Sequence, residues 1–496
     1  MNKYDVVIIG GGLGGLLCGN ILSREGYNVC IVEKNKKTGG CLQVFAREKC
    51  IFNTGLNYTE GLAEGQILNR YFRYFGIMDK LKLKRMDMDG FEVINFRDKE
   101  YRFAQGEENF IETLTEEFPA EKKGINNYLW KLKDLCNQFP LYNLELKRQN
   151  PDYTNLYRES AFEYIQSVTK NEILQNVLAG NNMLYAGVAE KTPLYIHSLI
   201  TYSLISSSWR LVDGSAQMVS LLTETIKKNG GDIIPEANVK KIEVENGSAK
   251  YVFLENGEVV EGRNFISNIH PQNTLQLIDD AYFTKAFRER VKQTENSISF
   301  FSLYVVLKEN ALPYRNYNNY VYNDSSVWVA SIFDKNKWPQ SFMMYTPASS
   351  KGLNFADGLI VLTYMSYEEV KKWENTFVEN RGSDYIEFKK QKAEKLLDAV
   401  EKKIPGIRNK IKNYYTSTPL TYRDYTGTPQ GSAYGMMKDY NNPLKTLIMP
   451  RTKIPNLFFT GQNLNVHGIL GVTIGAVMTC GELLGLNYLV DRIRKN

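Results

Sequence analysis

Five glycines in six residues, Gly10-Gly11-Gly12-Leu13-Gly14-Gly15, and a carboxylate at Glu33 are the residues of this chain whose spacing most plainly does chemistry. The run contains GxGxxG. In that pattern the first glycine allows a tight turn, the second lets the backbone approach a pyrophosphate, and the third lets helix and strand pack closely. Free N–H groups at the helix start, aided by the helix dipole, then hold phosphate oxygens. An acidic residue roughly 20 positions on accepts a ribose hydroxyl and repels a 2′-phosphate, so a site for a phosphorylated nicotinamide is disfavoured. Near the other end of the chain, Gly461-Gln462 and Gly471-Val472-Thr473 bracket His467. An imidazole with its ordinary pKa could give or take a proton there. The competing reading of His467 is a side chain that caps the local backbone.

The glycine run needs a strand before it and a helix after it. Tyr4 to Ile9 is an apolar, β-branched block and reads as a buried strand. Leu16 to Glu25 reads as a helix ended by Gly26, and Val29 to Val32 as a second strand closed by Glu33. The right-handed crossover rule makes the two strands parallel. Residues 62–204 read as a mostly helical insertion. Met218 to Lys228 reads as a helix. Val239 to Val244, Ala249 to Leu254 and Glu258 to Glu261 read as a meander turned at Asn246-Gly247 and Asn256-Gly257, followed by a separate buried strand, Phe265 to Ile269. Ser297 to Leu307, Tyr320 to Trp328 and Leu359 to Tyr364 suggest a second, antiparallel sheet. Tyr385 to Ile404 is a basic amphipathic helix, read as a solvated surface helix in preference to a membrane-surface one. Leu457 to Thr460 reads as a strand, Gly461 to Gly471 as a loop and Val472 to Val490 as a helix.

Composition sets limits on function. With 496 residues, 43% hydrophobic and 23% charged, the chain is long enough for two or three globular domains. A net charge of +6 without a compact basic cluster gives no reason to expect nucleic acid. The six cysteines form no CxxC pair, and His197, His270 and His467 lie far apart, so neither a disulfide framework nor a histidine metal site is expected. Reduced thiols fit a cytoplasmic protein. The apolar run Gly468 to Cys480 is shorter than the ~20 residues of a membrane span. Peripheral contact with a membrane stays open.

A second glycine pair, Gly39-Gly40, follows the acidic residue and Lys34, and Pro455-Asn456-Leu457-Phe458-Phe459-Thr460-Gly461-Gln462 closes the chain's last strand. Both resemble segments of the glutathione-reductase-like FAD-binding superfamily. Over nearly the full length the chain is similar to the phytoene desaturase, carotenoid isomerase and retinol saturase family. The stretches that carry the likeness are Gly39-Gly40, Asn53-Thr54-Gly55, Val212-Asp213-Gly214-Ser215, Gly230-Gly231-Asp232-Ile233, Ser267-Asn268, Gly427-Thr428-Pro429 and Gly461 through Gly471. The resemblance implies an α/β, FAD-binding Rossmann-like fold of the amine-oxidase and phytoene-desaturase type with an inserted α+β substrate domain. It implies FAD-binding parts at 1–61, 205–275 and 431–496, a helical lid region at 62–204 and a substrate domain at 276–430. FAD is the implied cofactor, held by Gly10, Gly12, Leu13, Gly14, Gly15, Glu33, Lys34, Gly39, Gly40, Val239, Gly461, Gln462, Gly471 and Val472, with Val239 at the adenine. The chain departs from the family at Gln462 and Asn463, where many members carry Asp, although an amide also bonds a hydroxyl.

The implied reaction is reduction, desaturation or isomerisation of C=C or CH–CH bonds in a lipophilic polyene, with His467 as the candidate for proton transfer. No second GxGxxG follows a strand, so electrons pass to or from an external partner: a quinone, NAD(P)H or oxygen. Two alternatives stand beside this reading. One is an amine-oxidase-like flavoenzyme, for which Cys480 is a conceivable covalent attachment. The other is a non-enzymatic lipid-binding protein of GDP-dissociation-inhibitor type.

Overall fold

The structure is a computed structural model, and it describes residues 3–146 and 156–495. Its first sheet forms around the opening strand, Lys3–Ile9. Val6, Val7 and Ile8 of that strand are fully buried, as a β-branched run between two covered faces must be. The strand order is Asp232–Ile234, Val29–Val32, Lys3–Ile9, Val259–Ser267, Ser248–Leu254, Val239–Glu245, with Leu457–Phe459 also beside Val259–Ser267. The pairings are parallel from Asp232–Ile234 through to Val259–Ser267 and at Leu457–Phe459, and antiparallel in the meander. Strands from both ends and the middle of the chain therefore share one sheet.

The last strand of the meander differs from expectation. Val259–Ser267 is one nine-residue strand, not two short ones. Its first residues pair antiparallel with Ser248–Leu254, its last residues pair parallel with Leu457–Phe459, and Lys3–Ile9 runs along its other edge. Gly262-Arg263-Asn264 looked like a break. Gly262 is instead required by close packing, because a Cβ there would lie 2.7 Å from Val7 Cγ2.

The first helix spans Leu13–Arg24, starting three residues before the expected Leu16. Nearly all of it is buried, because the sheet lies on one side while Ala216–Lys228 and the tail helix cover the others. The tail helix also starts early. It spans Gly468–Leu484, Gly485 breaks it with φ +87°, and Leu486–Arg494 forms a separate helix. Gly471 therefore sits in the first helical turn, not in a loop; a Cβ there would lie 2.4 Å from the Val466 carbonyl oxygen.

The second sheet runs Ile411–Ser417, Ser299–Leu307, Gly358–Met365, Ser341–Tyr345, Asn318–Tyr322, Glu92–Phe96, Lys99–Phe103. It is antiparallel except where Asn318–Tyr322 meets Glu92–Phe96. Three expectations are corrected. The strand expected over Tyr320 to Trp328 ends at Tyr322, where Asn323-Asp324-Ser325 turns the chain. Ser341–Tyr345 was not anticipated. The stretch expected to be helical contributes the hairpin Glu92–Phe96/Lys99–Phe103 among its helices, so that insertion is built into the second sheet.

Side chains of Ser299–Leu307 alternate between two cores. Phe301, Leu303, Val305 and Leu307 face the helix Ser383–Lys403, whose Leu396, Leu397 and Val400 are buried against them. The apolar stripe of that basic helix is therefore covered by the sheet. Phe300, Tyr304 and Val306 face the other way, toward the first sheet and the insertion. Among the described residues no helix is long and apolar enough to cross a membrane.

Candidate functional site

The glycine turn is held in shape by a carboxylate. Glu33, 5% exposed, accepts the Gly11 N–H at 2.8 Å through Oε2 and the Asn35 N–H at 2.8 Å through Oε1. The second glycine pair locks on from the other side: Gly39 N–H donates to the Gly11 carbonyl at 2.7 Å, and Gly12 bridges Gly39. A left-handed φ of +119° at Gly39 makes that approach possible. Packing requires a glycine at Gly15, since a Cβ on it would lie 2.1 Å from the Gly10 carbonyl oxygen. Gly14 admits the tail: its Cβ would lie 2.9 Å from Gly461 Cα. Thus Gly10–Gly15 and Gly461, some 450 positions apart in the chain, are in van der Waals contact.

An elongated cavity of about 450 Å³ opens between these segments. Gly10, Gly12, Leu13, Gly14, Glu33, Lys34, Gly39, Gly40, Val239, Gly461, Gln462 and Val472 all line it. Gly15 stands behind the turn, and Gly471 and His467 face a smaller neighbouring pocket. At one end the lining is Glu33, Val239 and the 425–428 segment. At the other it is Asn57, Phe300, Leu362, Tyr434, Gly468 and Val472. The exposed Lys34 ammonium ties the first end shut by donating to the Asp424 carbonyl at 2.8 Å, and Asn273 Nδ2 donates to the Gly427 carbonyl at 2.7 Å. Asn463 Oδ1 accepts the Met436 N–H at 2.9 Å, which leaves Gln462 as the amide of that pair facing the cavity without this bond.

Several lining residues had no assigned role in the sequence. Asn268 Nδ2 donates to the Gly10 carbonyl at 3.1 Å and so braces the turn from the sheet. Its signals in the sequence were its position directly after a buried strand and its place in the Ser267-Asn268 stretch. Asn53 Oδ1 accepts from Ser215 N–H at 3.0 Å, joining two of the stretches quoted above. Phe300, Leu362 and Tyr434 come from the second sheet and the loop after it, and no local pattern marks them.

The smaller pocket, about 110 Å³, adjoins the cavity and shares Gly55, Leu56, Asn57, Tyr434, Gly468 and Ile469 with it. Its other walls are mostly apolar: Phe139, Leu184, Leu199, Ile200, Leu204 and Ile474. His467 lines it, half-buried and stacked on Tyr434 with ring centroids 4.3 Å apart. It makes no side-chain capping bond at the start of the tail helix. Burial and the nearby Lys438 ammonium push its pKa down to about 3, so the imidazole is neutral near physiological pH. Cys480 lies elsewhere, fully buried with its thiol 3.9 Å from the Cys18 carbonyl, and it does not line the cavity.

The residues present fit a dinucleotide. Glu33 retains unused lone pairs for ribose hydroxyls. The start of the first helix, with Gly12, Leu13 and Gly14 on the cavity wall, offers N–H donors of the kind that suit a diphosphate. The tail helix presents a second positive helix end at the far side.

Residues 8–75 match the family described as NAD(P)-binding Rossmann-like domain. All-trans-retinol 13,14-reductase of Homo sapiens is 25% identical over an alignment covering 99% of this chain and 87% of that protein. The chloroplastic prolycopene isomerase of Daucus carota is 25% identical, with 96% of this chain and 79% of that protein covered. Among solved structures, putrescine oxidase bound to putrescine superposes with a TM-score of 0.62 at 14% identity, over 100% of each chain. The fold is thus an α/β Rossmann-like architecture shared with putrescine oxidase, and the sequence is similar along nearly its whole length to all-trans-retinol 13,14-reductase and prolycopene isomerase.

Proposed function

We propose that the chain is an FAD-dependent oxidoreductase acting on C=C or CH–CH bonds of a lipophilic polyene of retinoid, carotenoid or isoprenoid kind. One observation carries the reading: the opening glycine turn and the tail segment line a single cavity of about 450 Å³ that shares walls with a smaller, largely apolar pocket. The relatives named above act on polyenes and match the chain from end to end.

Bound FAD supplies hydride exchange with carbon, a chemistry no side chain provides. The chain's own residues bind and orient. Glu33 would hold the ribose hydroxyls, the start of the helix Leu13–Arg24 would hold the diphosphate, and Gln462, which also lines the cavity, would supply an amide to the ribityl hydroxyls. The start of the tail helix at Gly468 lines the cavity, and its dipole would favour negative charge on a flavin ring bound there. Leu199, Ile200 and Leu204 position the apolar chain of the substrate and exclude water. Electrons enter or leave through an external partner such as a quinone, NAD(P)H or oxygen.

The test is anaerobic photoreduction of the purified yellow protein, followed by addition of retinoids and carotenoids. Return of oxidised-flavin absorbance with a change in the polyene spectrum is the expected result. A colourless protein that takes up no added FAD would contradict the proposal.

A further inference from the structure

One acid in the smaller pocket has no part in the chemistry described so far. Glu60 ends the two-residue strand Thr59–Glu60, which pairs antiparallel with Ser208 and Trp209, and this pairing sets it on the pocket wall. It is the only carboxylic acid among the lining residues, and it faces Phe139, Leu199 and Leu204. Its Oε1 accepts the Leu470 N–H at 3.3 Å, in the first turn of the tail helix that also lines the dinucleotide cavity. Its other oxygen is 3.5 Å from Thr59 Oγ1. Among the described residues no ion pair is made by Glu60, and burial raises its pKa above the ordinary carboxyl value.

Adding hydrogen across a C=C bond places a hydride on one carbon and a proton on its neighbour. The other polar groups on the pocket wall suit proton donation poorly. His467 is neutral, and burial makes the phenols of Tyr58 and Tyr434 weaker acids than usual. We propose that Glu60 delivers the proton that completes saturation of the substrate double bond, and accepts it when the reaction runs toward the double bond. This rests on the function proposed above. In the saturating direction the Glu60 O–H bond breaks and a C–H bond forms at one carbon, while the adjacent carbon receives a hydride from reduced flavin. The external two-electron donor restores the reduced cofactor, and the carboxylate regains its proton from water.

The competing role is a helix cap, since His467 does not cap the tail helix and Glu60 reaches its Leu470 N–H. A cap would affect stability alone. Glu60→Gln keeps the shape and an acceptor for Leu470 but carries no acidic proton. We expect it to retain FAD and to be reduced normally, with saturation of a retinoid or carotenoid slowed roughly 10²–10⁴-fold. The alkaline limb of the wild-type pH profile should disappear, and Glu60→Asp should recover part of the rate. Without cofactor turnover, the infrared difference between wild type and Glu60→Gln at neutral pH should show the C=O stretch of a protonated carboxyl. Full turnover in FAD-loaded Glu60→Gln, or no such band, overturns the role of Glu60 and leaves the proposed function standing. A flavin-loaded wild type that alters no polyene overturns both. Should Glu60→Gln lose FAD, Glu60→Asp decides: a shifted alkaline limb supports the role, and an unshifted one overturns it.

Discussion

Glu33 already works before any ligand arrives, fastening the Gly11 and Asn35 N–H groups from a buried position. It shapes the turn, and in the proposed function it also accepts ribose hydroxyls, so its removal should cost both. Glu33→Ala is expected to weaken FAD binding by about 2 kcal/mol, a roughly 30-fold rise in Kd, measured by calorimetry on the apoprotein. Unchanged affinity would show that the nucleotide lies elsewhere. Gly15 makes a stricter demand. With its Cβ 2.1 Å from the Gly10 carbonyl, Gly15→Ala must push the first helix off the opening strand. The expected cost is about 1–3 kcal/mol, seen as a lower melting temperature and loss of bound flavin. A variant as stable and as yellow as wild type would refute the packing argument. These residues were legible in the sequence because their function is local: turn, helix start and acceptor lie within one βαβ unit. Asn268, Phe300 and Tyr434 were not assigned, because only the tertiary fold brings them to the cavity. His467 was chosen on an unperturbed pKa, which burial changes.

At the scale of elements, the second sheet carries a buried carboxyl that should make stability depend on pH. Glu92 begins the strand Glu92–Phe96, is fully buried, and accepts a hydrogen bond from Tyr58, whose hydroxyl lies 2.7 Å from that of Tyr320. Burial pushes its pKa up to about 7 from 4.5. Between those values the folded chain holds a proton that the unfolded chain has released, so stability falls as pH rises through this window. The loss attributable to Glu92 is on the order of 3 kcal/mol once complete. Glu92→Gln should therefore flatten the dependence, gaining stability over wild type at pH 8 and little at pH 5, as read by denaturant unfolding. Parallel pH dependences in the two proteins would contradict this. The hairpin that holds Glu92 escaped the sequence reading because Lys99-Glu100-Tyr101-Arg102-Phe103 lies at a sheet edge within a mainly helical stretch. The long strand Val259–Ser267 was divided for a related reason: Gly262 reads as punctuation, although the nearby Val7 requires it.

Across the whole molecule, the first sheet is assembled from the chain's two ends and its middle, and the second sheet contributes Phe300 and Leu362 to the cavity wall. Motif order in the sequence carried this convergence, since Gly39-Gly40, Ser267-Asn268 and Gly461 all arrive at one turn. The pairing that achieves it, Leu457–Phe459 beside Val259–Ser267, lies beyond any local window. The most direct test is a crystal structure of the protein loaded with FAD. It should show one flavin, its diphosphate on the N–H groups of the Gly10–Gly15 turn and its ring between Gly468 and the apolar pocket. A dinucleotide bound elsewhere, or a cavity that FAD does not enter at saturating concentration, would contradict the account.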